Sequence, residues 1–339
     1  MIGERIKQAR KIKRMSMEAL ANRVGISRMA ISKYERGLNT PGSAVLLKLA
    51  GALDVSVEFL MRPPVVQIQI QASRKHSRLS KKDHSAIQMQ IQEWVERYLE
   101  TESLFGPDSS QNQLPEFSVS TVQEIEAAAR KLREEWLLGI DPIENVMGLL
   151  EDQGIKIWQL EGFEKYDACT FKANGHYVIV VSADKPGDRQ RFDLCHELGH
   201  LVLNLQKGLD EEKAAHRFAA AFLVPKDSVY KELGVKRSNL NFRELYLLKH
   251  KYGFSMQAWI YRAKDLEIIT AATLKRLFRH LNANNWRKLE PGDPVPAEHP
   301  RRMQQLIYRA LAEDMISRSR AEELWGAPIP LELFEESRA

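Results

Sequence analysis

The chain has 339 residues, of which 44% are hydrophobic and 28% charged, an ordinary balance for a soluble globular protein of two or three units. No stretch approaches the ~20 consecutive apolar residues of a membrane span, so no membrane partner is expected. Cys169 and Cys195 form no paired framework, and the basic opening "MIGERIKQARKIKRMS" lacks the apolar core of a secretory signal, which together point to a reduced, cytoplasmic setting.

The net charge of +5 is unevenly spread. Residues 1–82 hold 17 Lys/Arg against 5 Asp/Glu, a balance of +12, and the remainder hold 33 against 40, a balance of −7. A basic front on an acidic body implies that the front alone meets a polyanion.

Residues 2–62 read as five short helices. Ile2, Ile6, Ala9 and Ile12 recur at close to helical spacing. Ser16 can cap a second helix that ends at Gly25, and Ser27 a third that ends at Gly37. Pro41 and Ser43 open a fourth, and "SVEFLM" gives a short fifth. The Gly25-Ile26-Ser27 gap has helix-turn-helix spacing. Pro63 and Pro64 stop this unit, and "VVQIQIQ" then alternates like a strand.

Residues 86–105 form an amphipathic helix with Ile87, Ile91, Trp94 and Leu99 on one face. Such a stripe is costly in water, so it is expected to pack on the body formed by residues 118–235 or on a partner chain's copy of itself. "GPDSSQNQLPE", residues 106–116, has no apolar periodicity and reads as a joint that lets the basic front move relative to the acidic body.

Beyond it, "TVQEIEAAARKLREEWLLG" predicts a strong helix and "DPIENVMGLLEDQG" another starting at Pro142. "IKIWQLE" and "YVIVVSA" are strand-like, and "DRQRFDLCHELGHLVLNL" is helical throughout. "DEEKAAHRFAAAFLVP" is a helix ended by Pro225. "NFRELYLLKHKYGFSMQAWIYRAKDL" is a helix pair turning at Gly253; its turn also has helix-turn-helix spacing, but few clustered cations, and reads as a packed hairpin.

His196 and His200 lie four apart, on one helical face, and can present two imidazole nitrogens to one ion. Glu197 stands beside that face, where it can reach a water on the ion. This is the HExxH pattern of zinc peptidases: zinc lowers the pKa of its water toward ~7 and the carboxylate takes the proton. The bland reading is chance. Against it, Gly199 sits inside the helix at a cost of roughly 1 kcal/mol relative to Ala, which calls for close packing or for room left for another group. A third ligand is also at hand on the next helix, where Asp210, Glu211, Glu212 and His216 are candidates. No further His follows at extended spacing, so the site reads as a two-His, one-Glu type, gluzincin-like. Cys195 points about 100° away and reads as a buried apolar thiol. Asp193 either orients His196 or is a solvent-exposed or N-terminal-turn carboxylate.

These segments together resemble the ImmA/IrrE family of metallo-endopeptidases, in the form fused to an N-terminal XRE/Cro-type helix-turn-helix. The resemblance runs through "LREEWLLGIDPIENVMGLLEDQGIKI", "PGDRQRFDLCHELGHLVL", "EEKAAHRFAAAFLVP", "LLKHKYGFSMQAWIYRAKDL" and "RALAEDMISRSRAEELW". It implies Zn2+ as cofactor, His196 and His200 as ligands and Glu197 as the catalytic group. The family's E-x-x-A-N-x-F-A pattern begins at Glu212, which inherits the third ligand position. His216 stands where the family has asparagine, leaving open whether it joins or replaces Glu212. Members of the family cut helix-turn-helix repressors.

The XRE resemblance lies in "LANRVGISRMAISKYERG" and "AVLLKLAGALDV". It implies double-stranded DNA as partner, bound by a homodimer. The recognition helix starts at Ser27, presents Arg28, Met29, Ser32 and Lys33 outward, and holds Ile26, Ala30 and Ile31 inward. Met17 departs from the family's glutamine at that place.

The expected fold is therefore multidomain and mainly α. A five-helix DNA-binding domain covers 1–64 and a linker with an amphipathic helix 65–117. An α+β zincin-like metallopeptidase domain covers 118–235, and a helical C-terminal region 236–339. The expected function is a DNA-binding regulator whose endopeptidase cleaves a repressor in trans or itself. The alternative is an XRE repressor or antitoxin-like autoregulator in which the peptidase fold is a sensor or idle. A structural zinc would more often be closed by four protein ligands, commonly cysteines, and neither cysteine here has ligand spacing.

Overall fold

The computed structural model describes residues 2–62, 68–69, 80–106, 113–163, 166 and 168–329. Most of the "VVQIQIQ" segment and of the 106–116 joint lies outside the described residues. No helix among those described is long and apolar enough to cross a membrane.

The chain opens with α1 (Ile2–Ile12), α2 (Met17–Val24), α3 (Arg28–Glu35), α4 (Ser43–Leu53) and α5 (Val57–Met61). Ser16, Ser27 and Ser56 cap α2, α3 and α5, each hydroxyl accepting from a backbone N–H two residues into its helix. The fourth helix differs: Gly42 precedes it and supplies no side-chain cap. Gly25 takes the left-handed conformation (φ 73°) that lets α2 end and α3 begin after a turn of three residues. Ile6, Leu20, Ile31, Leu49, Leu53 and Leu60 are fully buried between the five helices. Met17 packs onto this cluster, so its side chain serves the core. Arg10 holds Glu35 through two bonds of 2.5 and 2.8 Å.

After β1 (Ile68–Gln69) comes α6 (Lys81–Ser103), which starts five residues earlier than expected because Ser80 caps it. Its apolar face is buried as the periodicity requires, but against α1 and the last two described helices, α15 (Arg302–Ala312) and α16 (Arg318–Trp325), rather than the expected body or a second copy. Complementary charge directs this choice. Arg5 of α1, 1% exposed, bonds Glu96 at 2.5 Å, and Arg62 bonds Glu100 at 3.0 Å and Glu323 at 2.7 Å. A buried guanidinium needs such partners, and α6 and α16 supply them.

The other unit begins with β2 (Phe117–Val119) and α7 (Val122–Glu135), whose start is a capping box between Thr121 and Glu124. Helix α8 (Val146–Asp152) begins after Asn145 and not at Pro142, because the Asn145 side chain caps the Gly148 N–H at 2.7 Å. Then follow β3 (Lys156–Leu160), β4 (Ala168–Ala173), β5 (His176–Ser182), α9 (Gly187–Val202), β6 (Leu203–Leu205), α10 (Glu211–Leu223), α11 (Lys226–Leu233), α12 (Phe242–Tyr252), α13 (Met256–Asp265) and α14 (Ala271–Ala283). The chain closes with α15 (Arg302–Ala312) and α16 (Arg318–Trp325).

Strand β5 runs parallel to β3 on one side and pairs with β4 on the other. Strand β6 lies parallel to β2, so residues 203–205 leave the helix that "LVLNL" was expected to continue. The core of this unit gathers Ile125, Ala129, Leu194, Leu198, Phe218 and Phe222 from α7, α9 and α10. Phe254, Met256 and Trp259 are buried in it too, so the Gly253 turn is a packed hairpin as expected.

The two compact units are 1–109 with 173–175 and 302–339, and 110–172 with 176–301. The boundaries expected at 64 and 236 do not coincide with them. The amphipathic helix joins the five-helix domain, and the C-terminal helical region divides at residue 302. The physical reason is the burial of α6 between α1 and the α15–α16 pair.

Candidate metal centre

Helix α9 carries His196 and His200 one turn apart, and their Nε2 atoms face each other at 3.1 Å. Helix α10 crosses close by because Gly199 has no side chain. A Cβ there would lie 3.2 Å from the Ala215 Cα and 3.2 Å from the Phe218 ring. This approach brings Glu212 Oε2 to 3.6 Å from His196 Nε2. Zinc held at ~2.0–2.1 Å by tetrahedral ligands needs donor atoms roughly 3.3 Å apart. The 3.1 and 3.6 Å separations about His196 fit that spacing, and two imidazoles with a carboxylate suit a divalent ion. They are the one group of His, Cys, Asp and Glu among the described residues whose ligand atoms all lie within 4.8 Å of one another.

The other candidates on α10 take different places. Asp210 caps the helix, accepting from the Lys213 N–H at 3.0 Å. Glu211 reaches His200 Nδ1 at 3.3 Å, on the far side of that ring from His196. His216 lays its ring against His196 with centroids 4.4 Å apart and stacks on Phe192 at 5.5 Å, outside the converging set. Burial, then the charge of Arg189, hold its imidazole below the usual range, which favours the neutral form.

Glu197 is 7% exposed. Burial, aided by the Asp193 and Glu212 carboxylates, pushes its carboxyl up to about 8, and a dication beside it would draw the value down again. Asp193 is buried and salt-bridged to Lys185 and Arg189, both at 3.0 Å, so the solvent-exposed alternative does not hold. Cys195 is fully buried, and burial raises its thiol far above the ordinary range, as an apolar role requires. Sequence reasoning missed Tyr166, whose Oη lies 2.7 Å from Cys169 Sγ. Burial pushes that thiol up to about 12, and Glu197 is near enough to raise both groups further. Neither residue stands at any motif spacing, so nothing in the sequence could have flagged them.

On α3, Arg28, Met29 and Lys33 are exposed, Ser32 is half-buried and Ile31 is fully buried. Ser27 caps the helix, its Oγ accepting from the Ala30 N–H at 3.1 Å. The basic side chains thus stand clear of the core at the start and middle of the second helix of a helix-turn-helix.

Residues 6–60 match the helix-turn-helix family model, and residues 150–264 match that of the IrrE N-terminal-like domain. The chain thus joins a helix-turn-helix domain to a domain similar to the IrrE N-terminal-like family. The IrrE-like match contains His196, Glu197, His200 and Glu212. Among curated proteins the chain is similar to the transcriptional regulator SinR of Bacillus subtilis, 45% identical over 62 residues, 18% of this chain and 56% of that one. It is also similar to the SPbeta prophage regulator YonR of Bacillus subtilis, 37% identical over 70 residues, 21% of this chain and 65% of that one. Repressor protein C2 of Salmonella phage P22 is 34% identical over 76 residues, 22% of this chain and 35% of that one. The chain therefore spans between about a third and two thirds of the length of these relatives, and the likeness carries the domain rather than the whole protein.

Proposed function

We propose that the protein is a DNA-binding regulator whose IrrE-like domain is a zinc-dependent endopeptidase, acting on a regulatory protein such as a helix-turn-helix repressor or a second copy of this chain. The observation that carries this reading is the convergence of His196, His200 and Glu212 directly beside the buried Glu197. In this reading the two Nε2 atoms and the Glu212 carboxylate hold the ion, with His216 against the edge of the set. A zinc ion held by His196, His200 and Glu212 would supply Lewis acidity toward a water and a peptide carbonyl. Glu197 takes a proton from the water and delivers it to the leaving nitrogen. The surrounding burial keeps bulk water from competing for the carboxylate.

The five-helix domain brings this activity to DNA. Its +12 front supplies phosphate attraction, and α3 enters the major groove with Arg28, Met29, Ser32 and Lys33, as a dimer on a two-fold site. Ser27 contributes chiefly as the cap. The protein works in the cytoplasm, where such DNA is found.

The test is incubation of the zinc-loaded protein, and of its Glu197→Gln variant, with helix-turn-helix regulators encoded beside it. Cleavage by the first and not the second is expected. Cleavage by both, or by neither under any zinc loading, would remove the peptidase reading and leave a repressor whose peptidase fold senses rather than cuts.

A further inference from the structure

Beside the metal centre the unit of residues 110–172 and 176–301 contains a cavity of about 1090 Å³, walled by α7, α9, α10, α13 and residues 287–294. His216 and Phe192 line it, and the His216 ring also touches His196, so one side chain separates the cavity from the ligands. Three observations describe what it would hold. Its volume exceeds the upper end of small-ligand pockets, about 300–1,000 Å³, and leaves room for an extended segment.

Exposed apolar side chains gather there. Val122, Tyr261 and Leu289 all line the cavity while 46%, 49% and 78% exposed. Large apolar groups left in water around one concavity mark a place that another molecule covers.

The charge lining the cavity is positive on balance, seven Lys/Arg against four Asp/Glu, with Asp210 engaged as the cap of α10. Asp188 and Glu290 share Lys249, and Asp265 is paired with Arg217. Lys213, Arg287 and Lys288 also line it, exposed and with no ion pair among the described residues. Arg287 rests on the Phe278 ring, which leaves its charge available.

We propose that this cavity holds the substrate of the peptidase, and that it selects an acidic segment bearing bulky apolar side chains. The inference rests on the peptidase reading for the word substrate, but binding itself does not depend on turnover. Carboxylates would meet Lys213, Arg287 and Lys288, and the apolar side chains would cover Val122, Tyr261 and Leu289. The bound segment would leave the cavity past His216, within reach of the metal centre.

The experiment uses full-length, zinc-loaded Glu197→Gln protein and two labelled ten-residue peptides, one alternating Glu with Leu and Phe, the other with Lys in place of Glu. Fluorescence anisotropy should show the acidic peptide binding at least ten-fold tighter. The combined Lys213→Glu, Arg287→Glu and Lys288→Glu variant should reverse that preference with zinc content unchanged, and Lys288→Glu alone should weaken it. Equal affinity for both peptides, indifference to the charge reversals, or full displacement by millimolar inorganic phosphate would overturn the proposal. The peptidase reading fails separately, if wild-type protein cuts nothing while the acidic peptide still binds.

Discussion

Gly199 lies against Ala215 so closely that a Cβ on the glycine would come to 3.2 Å from the Ala215 Cα. That contact sets the distance between α9 and α10, and with it the 3.6 Å approach of Glu212 to His196. Gly199→Val should force the helices apart, costing about 1–3 kcal/mol as overpacking does. Zinc affinity should fall at least ~10-fold, as 1.4 kcal/mol corresponds to that factor. Competition against a chromophoric chelator measures it, and unchanged affinity would show that this contact does not position the ligands.

Removal of single ligands separates Glu212 from His216. His196→Ala and His200→Ala should leave almost no bound zinc, and Glu212→Ala should lose most of it, whereas His216→Ala should retain it. Metal analysis of the purified variants decides. Zinc kept by Glu212→Ala and lost by His216→Ala would transfer the third position to the histidine.

Glu197→Gln should keep fold and zinc and lose cleavage by at least ~100-fold, the lower end for a positioned general base. Glutamine is nearly isosteric but cannot accept the proton. A variant that still cuts at the wild-type rate would refute the role given to Glu197.

For DNA, Arg28→Ala and Lys33→Ala should both weaken binding, in distinguishable ways. If Arg28 reads a guanine, its loss relaxes preference at one base pair by ~1–3 kcal/mol. If Lys33 meets a phosphate, its loss weakens all sequences alike and lowers the salt slope by about 1. Titrations at several salt concentrations, with specific and random duplexes, read both effects. Salt-independent binding, or none, would argue against α3 as the reading helix.

Glu126 on α7 joins three elements. It holds the fully buried Arg262 of α13 at 2.5 and 2.8 Å, and Arg217 of α10 at 2.5 Å. Burial alone would raise its carboxyl, but Arg262 and then Arg217 outweigh that, and the value in the folded protein lies below the ordinary one. A depressed carboxyl stabilises the fold above the unfolded pKa of about 4.3 and loses that contribution as pH falls through the lower folded value. Glu126→Gln should therefore cost roughly 3 kcal/mol at pH 7, because Arg262 stays buried without its counter-charge. The difference from wild type should shrink below about pH 4. Urea unfolding of the metal-free proteins across pH tests this, and a pH-independent difference would mean that the ion pair is not its source.

What the sequence determined by itself is local in origin. Ser16 and Ser27 announced helix starts, Gly25 and Gly253 announced turns, and the four-residue step from His196 to His200 placed two imidazoles on one face. Each follows from backbone geometry over a few residues, which the chain carries with it wherever it packs. Gly199 also announced close packing, though not its partner. The tertiary structure alone decided the rest. Asp210, Glu211, Glu212 and His216 were equivalent by type until α10 docked, and the docking turned Asp210 into a cap and brought Glu212 to the histidine pair. Strand β4 and the three-residue pair β2–β6 depend on partners far along the chain, and such short runs carry no period that reveals them. The apolar stripe of α6 was plain, yet its seat on α1, α15 and α16 followed from Arg5 and Arg62 finding Glu96, Glu100 and Glu323. A helix's own period says which face must be buried, and only charges brought together across up to 261 positions say against what.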